Sequence, residues 1–147
     1  MTGTDAPYPL QGGCLCGRIR YRLTARPMVV THCHCATCRR ASGAPFITWM
    51  TVTPETFAFT QGEPDYFRSS PDVRRGFCAT CGTTLAYIND KHPEELDIAA
   101  ATLDHPDAVT PADHIQFGEK VAWIVPGDGL AQLQGSHWTD GYPDATD

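Results

Sequence analysis

The chain has 147 residues, 41% of them hydrophobic, which suits one domain with a buried core. A net charge of −6 argues against nonspecific nucleic-acid binding, and the longest apolar stretch, residues 98–103, is too short to cross a bilayer. The opening residues 1–7 carry neither a basic nor an apolar run of an export signal. The expectation is therefore a cytoplasmic protein in a reducing compartment, with no membrane and no nucleic acid as partner.

Residues 1–10 read as a flexible N-terminal tail, followed by a domain over 11–133. Residues 18–23 alternate strictly and place Ile19, Tyr21 and Leu23 on one strand face. A short run follows at 28–31, then the clearest helical turn at 36–41. The runs 45–52, 57–60 and 66–68 are β-branched or aromatic and bounded by Gly or Pro. Residues 83–88, 96–101, 114–117 and 121–125 continue the strand pattern, with a second candidate helical turn at 93–95. Twelve prolines and thirteen glycines supply the turns that many short strands need. The expected fold is all-β, built from small antiparallel sheets. Residues 134–147 read as a polar C-terminal tail. Leu130, Leu133, Trp138 and Tyr142 interrupt the polar stretch from 127 onward, which either frays or folds back over the sheet to cap a pocket.

All seven cysteines fall into three clusters: Cys14-Leu15-Cys16, Cys33-His34-Cys35-Ala36-Thr37-Cys38 and Cys78-Ala79-Thr80-Cys81. An odd number leaves one over in an all-disulfide scheme. Zinc takes four ligands in a closed structural site, and three with an open position in a catalytic one. Seven thiolates divide as four plus three. Cys78-x-x-Cys81-Gly82 reads as a zinc knuckle whose glycine permits a positive φ at the exit of the turn. Cys14-x-Cys16-Gly17 offers a second pair, since residues two apart on an extended chain share a face.

The central cluster offers three sulfurs in six residues, enough for an open site. Spacing alone leaves other arrangements standing. Cys35 and Cys38 could complete the closed site, or form a redox pair at thioredoxin-type spacing, and the outer cysteines could be buried without metal. His32 and His34 are candidate ligands by type. On an extended segment His34 points away from Cys33 and Cys35, which leaves it orienting or general-acid duty. His114 reads as a buried, hydrogen-bonded histidine, while His92, His105 and His137 carry no signal. Arg39, Arg40, Arg74 and Arg75 are either a solvated patch, an offset to the thiolate charge, or partners for a substrate's carboxylates.

Three segments occur in order: Gly12-Gly13-Cys14-Leu15-Cys16-Gly17-x-Ile19-x-Tyr21, His32-Cys33-His34-Cys35-x-x-Cys38-Arg39, and Arg75-Gly76-Phe77-Cys78-x-x-Cys81-Gly82-Thr83-x-Leu85. Together with Pro111-x-x-His114-Ile115 and Lys120-x-x-Trp123, they resemble the glutathione-dependent formaldehyde-activating enzyme family, which includes the centromere protein V relatives. The resemblance runs from residue 11 to 133 and implies the all-β fold called the β-tent. It also implies two zinc ions per chain. Cys14, Cys16, Cys78 and Cys81 would hold a structural zinc, and Cys33, Cys35 and Cys38 a second zinc open to a thiol substrate such as glutathione. The activity so implied is a carbon–sulfur lyase reaction, addition of a thiol to formaldehyde, with His34 as candidate proton donor and Arg39 and Arg40 as candidates for substrate carboxylates. The competing readings are a noncatalytic zinc-binding interaction module and a thiol redox sensor.

Overall fold

The computed structural model describes residues 7–140, so residues 1–6 and 141–147 of the two expected tails, Tyr142 among them, lie outside the described residues. Eleven strands among the described residues form two sheets. The smaller is antiparallel, in the order β1 (Leu10–Gly13), β2 (Arg20–Leu23), β5 (Phe57–Gln61). Strand β2 behaves as its alternation requires, burying Tyr21 and Leu23. Strand β1 begins at Leu10 inside the expected tail. Its Leu-Gln-Gly-Gly has little strand propensity of its own, and pairing with β2, Gly12 opposite Tyr21, makes it a strand.

The larger sheet runs β11 (Ala131–Gln132), β10 (Asp113–Ile115), β3 (Val29–Cys33), β4 (Ile47–Val52), β9 (Leu96–Ala99), β8 (Thr84–Asn89), β7 (Val73–Phe77), β6 (Asp65–Ser70). It is antiparallel except at one end, where β10 lies parallel to both β3 and β11. The long chain between β3 and β10 allows the crossover that a parallel pair needs. Strand β7, Val-Arg-Arg-Gly-Phe, was not expected, because two arginines and a glycine mask its alternation. The run 121–125, expected as a strand, is instead a turn closed by Ile124 N–H to the Val121 carbonyl, with Trp123 and Val125 exposed. The helix α1 (Ala36–Ser42) stands where the sequence placed its helical turn, with α2 (His137–Asp140) near the end of the described chain.

Register decides which side chains meet. Val30, Met50, Ile98 and Ala86 lie opposite one another across β3, β4, β9 and β8, and pack with Tyr21 and Leu23 of the small sheet into the main core. The alternate residues face the other way. Cys33 sits between Ile115 and Ile47, Trp49 lies between Thr31 and Ala99, and Asp97 lies between Thr51 and Tyr87. On that second face Cys33, Cys38, Trp49 and Ala99 form a smaller cluster beneath α1.

The described part of the C-terminal segment folds back over the same face. Gln116 N–H donates to the Gly135 carbonyl at 2.8 Å, His137 Nε2 lies 2.8 Å from Asp113 Oδ2, and Trp138 Nε1 donates to Glu95 Oε1 at 2.5 Å. With Trp49, Thr51, Asp97 and Ile115 it lines a small cleft that is partly open to solvent. Burial pushes the Asp97 carboxyl up to about 7; the Thr51 hydroxyl at 2.6 Å opposes the shift and the Glu95 charge adds to it.

Two outcomes are expected from this packing. A Cβ at Gly12 would overlap the Tyr21 ring and lie 2.6 Å from the Thr102 carbonyl oxygen. Gly12→Ala should lower stability by about 1–3 kcal/mol, the usual cost of overpacking, and an unchanged melting temperature would contradict the contact. Asp97 keeps its proton in the folded state at pH values where the unfolded chain has lost it. The native state therefore binds more protons between the unfolded carboxyl pKa and about 7, and stability falls as pH rises through that window. Asp97→Asn should raise the melting temperature at pH 8 more than at pH 4; an equal change at both would refute the assignment.

Candidate functional site

Two hairpin tips from different sheets meet at the four outer cysteines. The β1–β2 tip turns through Gly17 N–H to the Cys14 carbonyl and Cys14 N–H to the Ile19 carbonyl, both at 3.1 Å. The β7–β8 tip mirrors it, with Gly82 N–H to the Cys78 carbonyl at 2.7 Å and Cys78 N–H to the Thr83 carbonyl at 3.0 Å. Gly17 and Gly82 take φ of 80° and 79°, the left-handed region that these turns need and glycine reaches without strain. Leu15 N–H to Thr83 Oγ1 at 3.1 Å and Arg18 Nη1–H to Thr80 Oγ1 at 3.2 Å tie tip to tip.

The sulfurs of Cys14, Cys16, Cys78 and Cys81 all lie within 4.8 Å of one another and none is in a disulfide. Cys14 Sγ is 3.6 Å from Cys16 Sγ, which is 3.8 Å from Cys78 Sγ. Four sulfurs held tetrahedrally at zinc's bond length would stand ~3.8 Å apart, so this set fits the ion. The charges agree. The Thr83 hydroxyl beside Cys81 holds its thiol down to about 5. At Cys16 the Arg18 amide also favours the thiolate, but burial and the three neighbouring sulfurs outweigh it and push that thiol up to about 11. Crowded sulfurs share charge by sharing protons, and a dication can replace those protons.

The central three cysteines form a separate group on the second face of the large sheet. Cys33 ends β3, Cys35 is the N-cap of α1 with its sulfur 3.3 Å from Cys38 N–H, and Cys38 is the buried residue of that helix. Their sulfurs also lie within 4.8 Å of one another. Hydrogen bonds from Cys33 and Cys38 hold the Cys35 thiol far down, while bonds to Cys35 and Cys38 push Cys33 up. Arg75 reaches in from β7, buried, with Nη1 3.5 Å from Cys38 Sγ and Nη2–H donated to Thr37 Oγ1 at 3.1 Å. Its guanidinium also lies over the Tyr87 ring, 5.1 Å from the centroid. Three clustered sulfurs beside one fixed cation could hold a metal ion with a position to spare.

The structure thus brings the cysteines together four and three. Of the four arginines weighed from the sequence, Arg75 is the one bonded to a sulfur. Arg74, on the opposite strand face, pairs with Asp90; Arg39 Nη2 donates to the Glu119 carbonyl, and Arg40 is exposed. A strand over 73–77 separates Arg74 from Arg75 by alternation, and that strand is among those the sequence pattern conceals.

His34 is fully buried between two of these cysteines in sequence, yet its ring turns to a different neighbourhood. Its Nε2 lies 2.8 Å from His114 Nδ1, and His114 Nε2 lies 2.8 Å from Asp128 Oδ2. Burial first, then the His114 charge, push the His34 ring down to about 4. His114 is buried and hydrogen-bonded as expected, but Asp128 carried no signal in the sequence. His32 Nδ1 sits 2.8 Å from Thr48 Oγ1, and His32, His114 and Asp128 form a third group with donor atoms within 4.8 Å.

The fold and these groups have counterparts in known proteins. The family model described as glutathione-dependent formaldehyde-activating enzyme matches residues 9–119. An uncharacterized lyase of Schizosaccharomyces pombe is 34% identical over 85 residues, a match that covers 56% of this chain and 61% of the yeast protein, less than two thirds of its length. A provisionally named glutathione-dependent formaldehyde-activating enzyme of Halomonas elongata is 25% identical over 147 residues, covering 92% of this chain and 89% of that protein. In fold alone, the chain is similar to the crystal structure of a Rhodobacter sphaeroides protein, with a TM-score of 0.55 and 19% identity, covering 84% of this chain and 99% of that one.

A bond with Cys33 favours the Cys38 thiolate, but the bond with Cys35, burial and the Cys35 charge push that thiol up on balance, and the Arg75 charge works against the rise. Arg75→Gln should therefore leave less thiolate at pH 7 and weaken metal binding at the three-cysteine group by about 10-fold, the scale of outer-shell changes. Competition with a chromogenic chelator measures it, and equal affinity in the variant would show that the arginine only packs.

Proposed function

The chain belongs to the glutathione-dependent formaldehyde-activating enzyme family, and from that premise we propose that it is a zinc-dependent carbon–sulfur lyase. In the synthetic direction it adds a small thiol, glutathione or a relative, to formaldehyde or a similar electrophile to give an S-hydroxymethyl adduct. The observation that carries this reading is the division of the cysteines. One group has four sulfurs at the spacing of a closed zinc site, and the other has three sulfurs beside a buried arginine.

In this reading Cys14, Cys16, Cys78 and Cys81 hold a structural zinc, and Cys33, Cys35 and Cys38 hold a second. Zinc bound by the three supplies Lewis acidity that favours the thiolate form of an incoming thiol at neutral pH. The chain's own residues set the stage for it. The Cys38 amide and the Thr37 hydroxyl support the Cys35 sulfur, and Arg75 offsets the charge gathered at Cys38. The substrate sulfur attacks the carbonyl carbon and a C–S bond forms. The C=O π pair moves to oxygen, which takes a proton from water. Spontaneous addition is already feasible, so bringing thiol and aldehyde together accounts for most of the acceleration. His34, its Nε2 tied to His114, is not the acid in this reading. Arg39 and Arg40, at the end of α1, remain candidates for the carboxylates of a glutathione-like thiol. No helix among the described residues is long and apolar enough to cross a membrane, and we place the activity in the cytoplasm.

Cys35→Ser should lose one zinc per chain with an unchanged circular dichroism spectrum. Cys81→Ser should unfold the domain, since a structural zinc contributes on the order of 10 kcal/mol to folding. Equal damage from both would overturn the four-plus-three division. Two-dimensional exchange NMR of glutathione with formaldehyde tests the chemistry: wild type should accelerate exchange and Cys35→Ser should not. An exchange rate unmoved by wild type would reject the formaldehyde reaction and favour a noncatalytic zinc module.

A further inference from the structure

The third group, His32, His114 and Asp128, lies on the opposite face of β3 from Cys33 and plays no part in the proposed reaction. His32 and His114 are register partners across the parallel β3–β10 pair, with ring centroids 4.8 Å apart. Asp128 comes from the loop that leads into β11, itself paired to β10. We propose that these three side chains form a further metal site, which takes a divalent first-row cation of octahedral preference through His32 Nε2, His114 Nε2 and Asp128 Oδ2.

Each donor has its other end tied down. His32 Nδ1 is held by Thr48 Oγ1 at 2.8 Å, His114 Nδ1 by His34 Nε2 at 2.8 Å, and Asp128 Oδ1 by the Leu130 N–H at 3.1 Å. That leaves one ring nitrogen of each histidine and one carboxylate oxygen converging, all within 4.8 Å. Such outer partners are what orient metal-binding imidazoles and raise their basicity. Two imidazoles and one carboxylate with open positions suit an octahedral first-row ion, in contrast to the all-sulfur groups.

His114 Nε2 and Asp128 Oδ2, 2.8 Å apart, are hydrogen-bonded to each other, so a cation enters by displacing the proton they share. The Asp128 carboxylate is 39% exposed, so the site opens to solvent.

Occupancy would be felt at His34 through proton placement rather than proton number. With no cation, Asp128 accepts from His114 Nε2–H, His114 Nδ1 accepts from His34 Nε2–H, and His34 Nδ1 is a bare, buried lone pair with no partner among the described residues. A cation on His114 Nε2 requires its proton on Nδ1, donated to His34 Nε2, so His34 must then carry its proton on Nδ1. The count stays at two protons, but the ring between Cys33 and Cys35 changes tautomer.

The test is titration of the zinc-loaded protein with cobalt(II). One further ion per chain is expected, with the weak visible bands of six-coordinate cobalt and without the intense sulfur-to-cobalt charge transfer of a thiolate site. Asp128→Asn and His32→Gln should each weaken binding at least 10-fold while zinc content and circular dichroism stay unchanged. ¹⁵N NMR should show the His34 ring proton moving from Nε2 to Nδ1 on saturation. No saturable binding below millimolar cobalt, binding with sulfur charge-transfer bands, or affinity undiminished in both variants would overturn the site.

Discussion

Four sulfurs crowded within 4.8 Å at the meeting of two hairpin tips repel one another once they ionise, so their charge has to be balanced where the two sheets join. The two turns are built for this duty, each with a left-handed glycine and a carbonyl that closes on the cysteine amide. One tip belongs to the three-stranded sheet and the other to the eight-stranded sheet, so charge balance at this point also sets how the sheets clasp the core of Tyr21, Leu23, Met50 and Ile98 between them. Hydrophobic burial alone would bring the sheets face to face, but it is non-directional and would not hold the tips in register.

The large sheet then sorts chemistry by the two-residue period of its strands. On β3, Val30 and His32 face one way and Thr31 and Cys33 the other. One strand therefore serves the core and the imidazole group from one face, and the sulfur group and the cleft from the other. Trp49 marks the division on the second face, packed against Cys33 and Cys38 and also lining the cleft that Asp97 and the C-terminal segment complete.

The parts of this arrangement that were legible in the sequence are the local ones. Cysteine pairs two or three residues apart announce a shared sulfur cluster because the chain itself holds them close, and β2 announces itself because Ile19, Tyr21 and Leu23 alternate with arginines. The missed elements are those whose identity comes from a distant partner. Strand β1 is a strand because β2 pairs with it, and β11 because β10 does. The role of Arg75 rests on the register of β7 with β8, and that of Asp128 on a parallel crossover that no short window contains. The segment 121–125 failed the other way: its apolar residues match a strand, but the local turn at Val121 and Ile124 leaves them on the surface.

The parallel pairing of β10 with β3 bears on how the chain is made. His34 waits for a partner 80 positions later, and Cys16 for one 62 positions later. Contacts of such separation form late and slowly. On a ribosome Cys14 and Cys16 emerge long before Cys78 and Cys81 can join them, and Cys38 long before Arg75, so for that interval these thiols depend on the reducing power of the surroundings rather than on the fold. Vectorial synthesis therefore makes the N-terminal half of this protein its most oxidation-sensitive nascent state.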